Sequence, residues 1–264
     1  MSSNSLSIIL PTLNEKENLE VLIPEIIEVL SRLDELETYE LIIVDDGSND
    51  GTEELISDIR IKNPNVNFIK RNEEKSLPLS IYQGVIESNS NNVMWLDADG
   101  SMNALAIERL LNVFFSKENL NLAIVGSRFS EGGGYKGVRD VKNQSFFSAI
   151  NNVRNSKDSV IGMILSILIN RLLSFLFRTQ LTDLTSGFIV LNKKHIEKSV
   201  FENRTYGEYF IYLLGSLIKK NIVIEEVGYI CETRMYGYSK TSSGIIQFII
   251  KGVPYIMAAL KRGK

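Results

Sequence analysis

A chain of 264 residues with 44% hydrophobic and 23% charged side chains can bury a full core, either as one large α/β domain or as a domain with an appendage. A net charge of −3, with neither half strongly basic, excludes nucleic acid as the expected partner. The single cysteine, Cys231, rules out an internal disulfide and supplies no metal-ligand spacing, and residues 1–5 lack the basic and apolar regions of a signal peptide, so a reducing, cytoplasmic setting is expected.

Residues 6–10 read as a short buried strand that leaves through Pro11-Thr12-Leu13-Asn14-Glu15. Asn14 with Glu17 marks a helix start, and Leu19, Leu22, Ile23, Ile26, Ile27 and Leu30 recur at helical spacing, with Pro24 expected to kink or restart the helix. A second strand, Leu41-Ile42-Ile43-Val44, closes on Asp45-Asp46-Gly47-Ser48. Asp50 with Glu53 marks the next helix, which runs to about Asn63. Residues 66–69 form a third strand, and Leu79, Tyr82, Val85 and Ile86 mark a third helix.

The most informative stretch is Val93-Met94-Trp95-Leu96-Asp97-Ala98-Asp99-Gly100, an apolar strand ending in two carboxylates. In extended chain Asp97 and Asp99 fall on one side, and such a pair can hold Mg²⁺ or Mn²⁺ together with the oxygens of a diphosphate. The same residues also suit a turn and helix cap. A helix over about 104–115 follows, then a strand at 122–125 ending in Gly126-Ser127-Arg128, and a glycine-rich run at 130–137 that is expected to be a mobile loop near the site. Strands alternating with helices predict right-handed crossovers, a mainly parallel sheet and a ligand site at its carboxyl edge. Neither Gly-x-Gly-x-x-Gly nor a P-loop is present.

Val160–Phe177 is apolar nearly all round but carries Asn170 and Arg171, and it is shorter than the ~20 residues of a spanning helix. Next come Thr182-Asp183-Leu184-Thr185-Ser186-Gly187-Phe188, a strand at 189–191, a helix at 208–220, a strand at 222–227 and a basic tail through 229–240. Ile245–Leu260, followed by Lys261, Arg262 and Lys264, reads as an amphipathic segment suited to a membrane interface. The one histidine, His195, reads as a solvated residue of a surface helix.

The ordered set Pro11-Thr12-Leu13-Asn14-Glu15, Val44-Asp45-Asp46-Gly47-Ser48, Asp97-Ala98-Asp99, Gly126-Ser127-Arg128, Asp183-Leu184-Thr185-Ser186-Gly187-Phe188 and Arg234-Met235-Tyr236-Gly237-Tyr238-Ser239-Lys240 resembles family 2 glycosyltransferases of the GT-A fold, and among them the dolichol-phosphate (polyprenol-phosphate) mannose synthases. The resemblance implies a Rossmann-like mixed sheet flanked by helices, forming a catalytic domain over 1–240 with an apolar helix at about 158–178 and a membrane-interface tail over 241–264. It implies that Pro11, Leu13, Glu15, Ile43 and Asp45 hold the nucleoside, and that Asp97, Ala98 and Asp99 hold metal and diphosphate with Ser101 alongside. Arg128, Arg234 and Lys240 then surround the donor phosphates, Arg128, Ser166 and Arg234 take the acceptor phosphate, and Asp99, Arg128 and Arg234 are the catalytic set. Leu13 stands where Tyr is frequent and Leu184 where Pro is common in this family.

The resemblance implies metal-dependent inverting transfer of mannose from GDP-mannose to a polyprenyl or dolichyl phosphate. UDP-glucose or another nucleotide sugar, a glycan acceptor, or a catalytically silent lipid-binding or partner-binding relative are the alternatives. A phosphomonoester acceptor, with a second pKa of about 6, needs no general base, which suits a chain without a convincing catalytic histidine. The expected setting is the cytoplasmic face of a membrane, held peripherally, with room for a membrane-anchoring subunit.

Overall fold

The computed structural model describes residues 4–117, 121–135, 138–139, 160–236 and 245–261. Its main sheet has seven strands: β1 (Ser5–Thr12), β2 (Thr38–Asp45), β3 (Val66–Lys70), β4 (Asn92–Trp95), β5 (Leu122–Ser127), β8 (Ile189–Asn192) and β9 (Val223–Gly228), in the order β3-β2-β1-β4-β8-β5-β9. All neighbours pair in parallel except β8, which runs antiparallel to both β4 and β5. The fold is the expected mixed, mainly parallel α/β arrangement. A small second sheet joins β6 (Gly134–Tyr135), β7 (Val138–Arg139) and β10 (Ile230–Cys231).

The sheet is apolar on both faces because helices cover both. In β1, Leu6, Ile8 and Leu10 point into a core shared with α1 (Lys16–Leu30), α2 (Thr52–Lys62) and α4 (Ala104–Phe115), whereas Ile9 points the other way. Ile42 and Val44, Val93 and Trp95, and Ile189 and Leu191 fill that second core. α3 (Leu77–Glu87), α5 (Val160–Phe177), α6 (Tyr209–Lys219) and α7 (Ile245–Leu260) cover it.

Several local expectations are corrected. α1 runs unbroken past Pro24, which lies on the exposed face where the carbonyl it leaves without a helical partner can be solvated. That helix begins at Lys16, with Asn14 in the left-handed region and its side chain accepting from the Asn49 amide at 2.9 Å, so Asn14 ties two loops together and does not cap. The run at 130–137 is not wholly a loop: its described part enters the small sheet through β6, and residues 136–137 lie outside the described residues. His195 belongs to a short 3-10 turn and is buried.

Candidate active site

The carboxyl ends of β1, β2 and β4 and the residues around the start of β8 converge on one edge, as parallel strand direction requires. Asp97 and Asp99 follow β4 there. Asp97 is open to the cleft, Asp99 is half-buried, and Ala98 turns inward to the core. Asp99 Oδ1 accepts from the Ser101 amide at 3.0 Å, fixing one oxygen, while Oδ2 accepts from Arg234 Nη2 at 3.2 Å. Arg234 Nη1 reaches both oxygens of Glu15 at 3.0 and 3.1 Å. One guanidinium therefore spans the end of β1 and the end of β4.

The segment bearing Arg234 is seated by backbone. The Glu232 amide donates to Ser101 O at 3.0 Å, and the Tyr236 amide donates to Asn18 Oδ1 at 3.0 Å. Asn18 also donates to Glu15 Oε2 at 2.7 Å. Gly100, with φ at +77°, permits this approach: a Cβ there would meet Met235 Cε at 2.7 Å. Burial pulls the Arg234 pKa down, but Asp99 and Glu15 outweigh it and the group stays charged.

Removal from bulk water inside the cleft, then the adjacent Asp99 and Glu15 charges, push the Asp97 carboxyl up to about 7 despite Arg234 and Arg128. Asp97 therefore holds its proton more tightly than an ordinary carboxyl, and a cation bound there would displace it. Among the described residues no three His, Cys, Asp or Glu side chains form a cage for a metal ion. A pair of carboxylates nevertheless fits a magnesium-type ion, which takes one or two carboxylates and completes its shell with water and substrate phosphate. Asp97 and Asp99 meet that requirement, with Ser101 beside them.

On the β2 side of the cleft, Asp45 ends the strand and takes the Gly47 and Ser48 amides on Oδ2 at 3.2 and 3.0 Å. Its Oδ1 is buried with no hydrogen-bond partner, an acceptor waiting for a donor group. Asp46, beside it, is committed to structure through a buried ion pair with Arg71. Pro11 is buried at the end of β1, and Leu13 is half-buried in the loop that follows. Ile43 has its side chain fully inside the core and its main chain in the sheet between β1 and β3.

The second half of the site is a separate network. Asp183, fully buried, accepts from Arg128 Nε and Nη2 at 2.7 Å each and from the Arg128 amide at 3.0 Å. Arg128 Nη2 also donates to Thr185 Oγ1 at 2.8 Å, and Asn170 Nδ2 donates to the same oxygen at 2.9 Å. Asn170 donates to Ser166 O at 3.0 Å and accepts from the Leu184 amide at 2.9 Å. The Thr182 and Asp183 amides are held by Glu226 at 2.8 and 2.9 Å. Burial lowers the Arg128 pKa, but Asp183 more than reverses this and the guanidinium is charged throughout.

The structure thus brings Glu15, Asp97, Asp99, Ser101 and Arg234 together, and separately brings Arg128 and Ser166 into one network through Thr185 and Asn170. Lys240 lies outside the described residues. Asn18 and Glu226 were not singled out by the sequence, and Thr185 stood in the 183–188 motif without an assigned role. Asn18 has a signal in retrospect, a polar residue on the buried stripe of α1. Asn170, the polar interruption of an apolar helix, is the pin that holds α5 to the 182–186 segment.

The Glycosyl transferase family 2 model matches residues 7–199. The dolichol-phosphate mannosyltransferase of Pyrococcus furiosus is 32% identical over 169 residues, 59% of this chain and 44% of that protein. The dolichyl-phosphate beta-glucosyltransferase of Dictyostelium discoideum is 31% identical over 129 residues, 47% of this chain and 39% of that protein. These matches span under half the length of each relative. Among solved structures, glucosyl-3-phosphoglycerate synthase of Mycobacterium tuberculosis, in complex with Mn²⁺, UDP and glucosyl-3-phosphoglycerate, is similar with a TM-score of 0.64 over 98% of this chain and 80% of that one. At 16% identity that likeness concerns the fold.

Proposed function

The chain belongs to glycosyl transferase family 2, and on that premise we propose that it moves a hexose, mannose from GDP-mannose in the favoured reading, from a nucleotide diphosphate to the phosphate of a polyprenol or dolichol. The observation that carries this reading is the Asp97–Asp99 pair at the carboxyl edge of the sheet, joined to Glu15 by Arg234. Asp97 and Asp99 would hold a divalent cation, Mg²⁺ or Mn²⁺, which supplies positive charge for the leaving diphosphate. Arg234 adds a second, permanent positive charge in a water-poor cleft, where it stabilises the charge that develops as the glycosidic bond breaks. Asp45 and Glu15 face the nucleoside.

The acceptor side rests on Arg128, its fork oriented by Asp183, with Ser166 on the neighbouring helix. A lipid phosphate is already a nucleophile at neutral pH, so the chemistry asks for cations and not for a base. His195 fits that economy: it follows the end of β8 that pairs with Asn92, at the opposite edge of the sheet from Asp97.

No helix among the described residues is long and apolar enough to cross a membrane. α5 and α7 pack together and expose Leu168, Leu172, Phe175, Met257 and Leu260, near Arg171, Arg178 and Lys261. Apolar side chains rimmed by cations suit an anionic lipid surface, and this supports a peripheral seat on the cytoplasmic leaflet where the lipid acceptor enters.

A second donor is favoured by one observation: the Dictyostelium relative, a dolichyl-phosphate beta-glucosyltransferase, is about as similar as the Pyrococcus one. UDP-glucose would then replace GDP-mannose at the same site. Transfer of label from GDP-mannose, UDP-glucose and UDP-N-acetylglucosamine into organic-extractable polyprenyl phosphate, with Mn²⁺ or with chelator, decides between them. The expected result is a metal-dependent lipid product from GDP-mannose. A product from UDP-glucose alone changes the donor, and no lipid product from any donor overturns the acceptor assignment.

A further inference from the structure

The start of α6 stands against the end of β4. Trp95, two residues before Asp97, donates from Nε1 to Tyr209 Oη at 3.0 Å. Just ahead of Tyr209 the chain makes a tight turn. The Glu208 carboxylate accepts from the Thr205 amide at 2.7 Å, the Thr205 hydroxyl at 2.8 Å and the Tyr206 amide at 2.9 Å. Within this turn Glu208 and Tyr209 are buried, but Tyr206 is 50% exposed.

α7 closes the turn from the other side. A Cβ on Gly207 would lie 2.0 Å from Tyr255 Oη, so only glycine admits the phenol at this distance. Ala258 and Ala259 on the same helix are fully buried, and α7 packs on both α5 and α6. The turn is therefore held between Tyr209, bonded to Trp95 two residues ahead of Asp97, and the C-terminal helix. The electrostatics agree with that placement. Burial, then Asp97 and Asp99, push the Tyr206 hydroxyl up to about 12, and burial followed by Tyr206 and Glu208 raises Tyr255. Both phenols remain protonated donors at neutral pH.

Strand order gives the turn its role. The nucleoside side lies at β1 and β2, the diphosphate side at β4, and β8 with α6 lies beyond β4. A sugar attached to the outer phosphate extends in that direction. We infer that α7 is part of the catalytic unit and that Tyr255 is a positioning residue, bracing the 205–208 turn so that Tyr206 presents its ring and hydroxyl to the sugar of the donor; the identity of that ligand rests on the proposed transfer reaction. A phenol suits a pyranose, with its ring against the C–H face and its hydroxyl donating to a sugar oxygen.

The test uses Gly207→Ala, Tyr255→Phe and the double variant in the full chain, read by donor KM, by affinity for the nucleoside diphosphate with Mn²⁺, and by deuterium exchange over 205–208. Gly207→Ala is expected to raise donor KM about tenfold while nucleoside diphosphate affinity stays within about twofold, because only the sugar contact moves. Tyr255→Phe removes the clashing oxygen and leaves the ring carbon 3.1 Å from the new Cβ, so the double variant recovers toward wild type. Exchange over 205–208 rises in Gly207→Ala and falls back in the double variant, whatever the donor is. Unchanged exchange, or no recovery in the double variant, overturns the brace. Equal loss of sugar-nucleotide and diphosphate binding overturns the sugar contact. Failure of the wild-type protein to bind any nucleotide sugar overturns the reaction and leaves the exchange result to judge the brace.

Discussion

Two arginines organise the two halves of the site, and they are held in opposite ways. Arg128 gives Nε and Nη2 to one fully buried carboxylate, Asp183, which in turn takes the Arg128 amide, and Thr185 and Asn170 extend the network to α5. Arg234 is divided between two carboxylates that follow different strands, Glu15 after β1 and Asp99 after β4, at longer distances and with greater exposure, 22% against 14%. A guanidinium committed to a single buried partner is scaffold first and can offer a ligand only the part of the fork that faces the cleft. A guanidinium shared between two acids at a cleft can redistribute its hydrogen bonds when phosphate arrives. Removing each partner separates these roles.

The largest effect is expected at the buried pair. Asp183→Ala leaves the Arg128 charge enclosed without its counter-ion, frees the Thr185 amide and loosens the 182–186 segment. The cost is about 3–5 kcal/mol of folding stability, the scale of breaking a buried ion pair from one side. Chemical denaturation of wild type and variant measures it. A loss below about 1 kcal/mol would mean that Arg128 is solvated and that the contrast with Arg234 is false.

Arg234→Ala is expected to reverse the balance, costing turnover more than fold. Loss of a preorganised positive charge at the leaving group lowers kcat by about 10²–10³-fold. Glu15 keeps its bond from Asn18, so the melting temperature moves far less than for Asp183→Ala. Arg234→Lys keeps the charge but cannot bridge Glu15 and Asp99 together, and falls between the two. Equal kcat for Arg234→Ala and wild type, measured with the accepted donor, would remove Arg234 from the chemistry.

The scaffold was more legible in the sequence than the site. α4 and α5 fall on the segments read as helical or apolar in the sequence, and β1, β2 and β4 were visible as apolar runs because both faces of the sheet are covered. The reversed direction of β8 was not readable, since Ile189-Val190-Leu191 carries no sign of which way it runs. At the site, Asp97 and Asp99 declared themselves by spacing. Glu15 was marked through the resemblance as a nucleoside residue, yet its carboxylate also serves Arg234 from 219 positions away. Tyr255 and Gly207 were silent, because their meaning is a distance between a helix and a turn that no local pattern encodes. His195 misled for the same reason: two flanking lysines suggested a solvated helix, while Lys220 donates to its carbonyl at 2.9 Å and helps hold it in a buried turn.

The smallest expected effect concerns pH, and it sharpens the contrast because Arg234 hydrogen-bonds Asp99 but acts on Asp97 only through space. The Asp97 carboxyl, raised from 3.8 to about 7 chiefly by removal from water and next by Asp99, binds a proton in the folded state that it would release when unfolded. The folded state therefore holds more protons between those two values. The stability this group contributes is full below about pH 4 and is lost as pH rises through about 7. A divalent cation competes for the same carboxylate, so its apparent affinity should fall by up to about tenfold per pH unit below 7 and level off above about 8. Thermal melts with and without Mn²⁺ across pH 5.5–8.5 would show metal-free protein losing stability toward neutral pH, and Mn²⁺ restoring it most strongly there. Asp97→Asn, which cannot ionise, should flatten both trends. A wild-type Mn²⁺ effect that does not change with pH would place the cation on other residues and leave Asp97 a cleft-lining carboxyl.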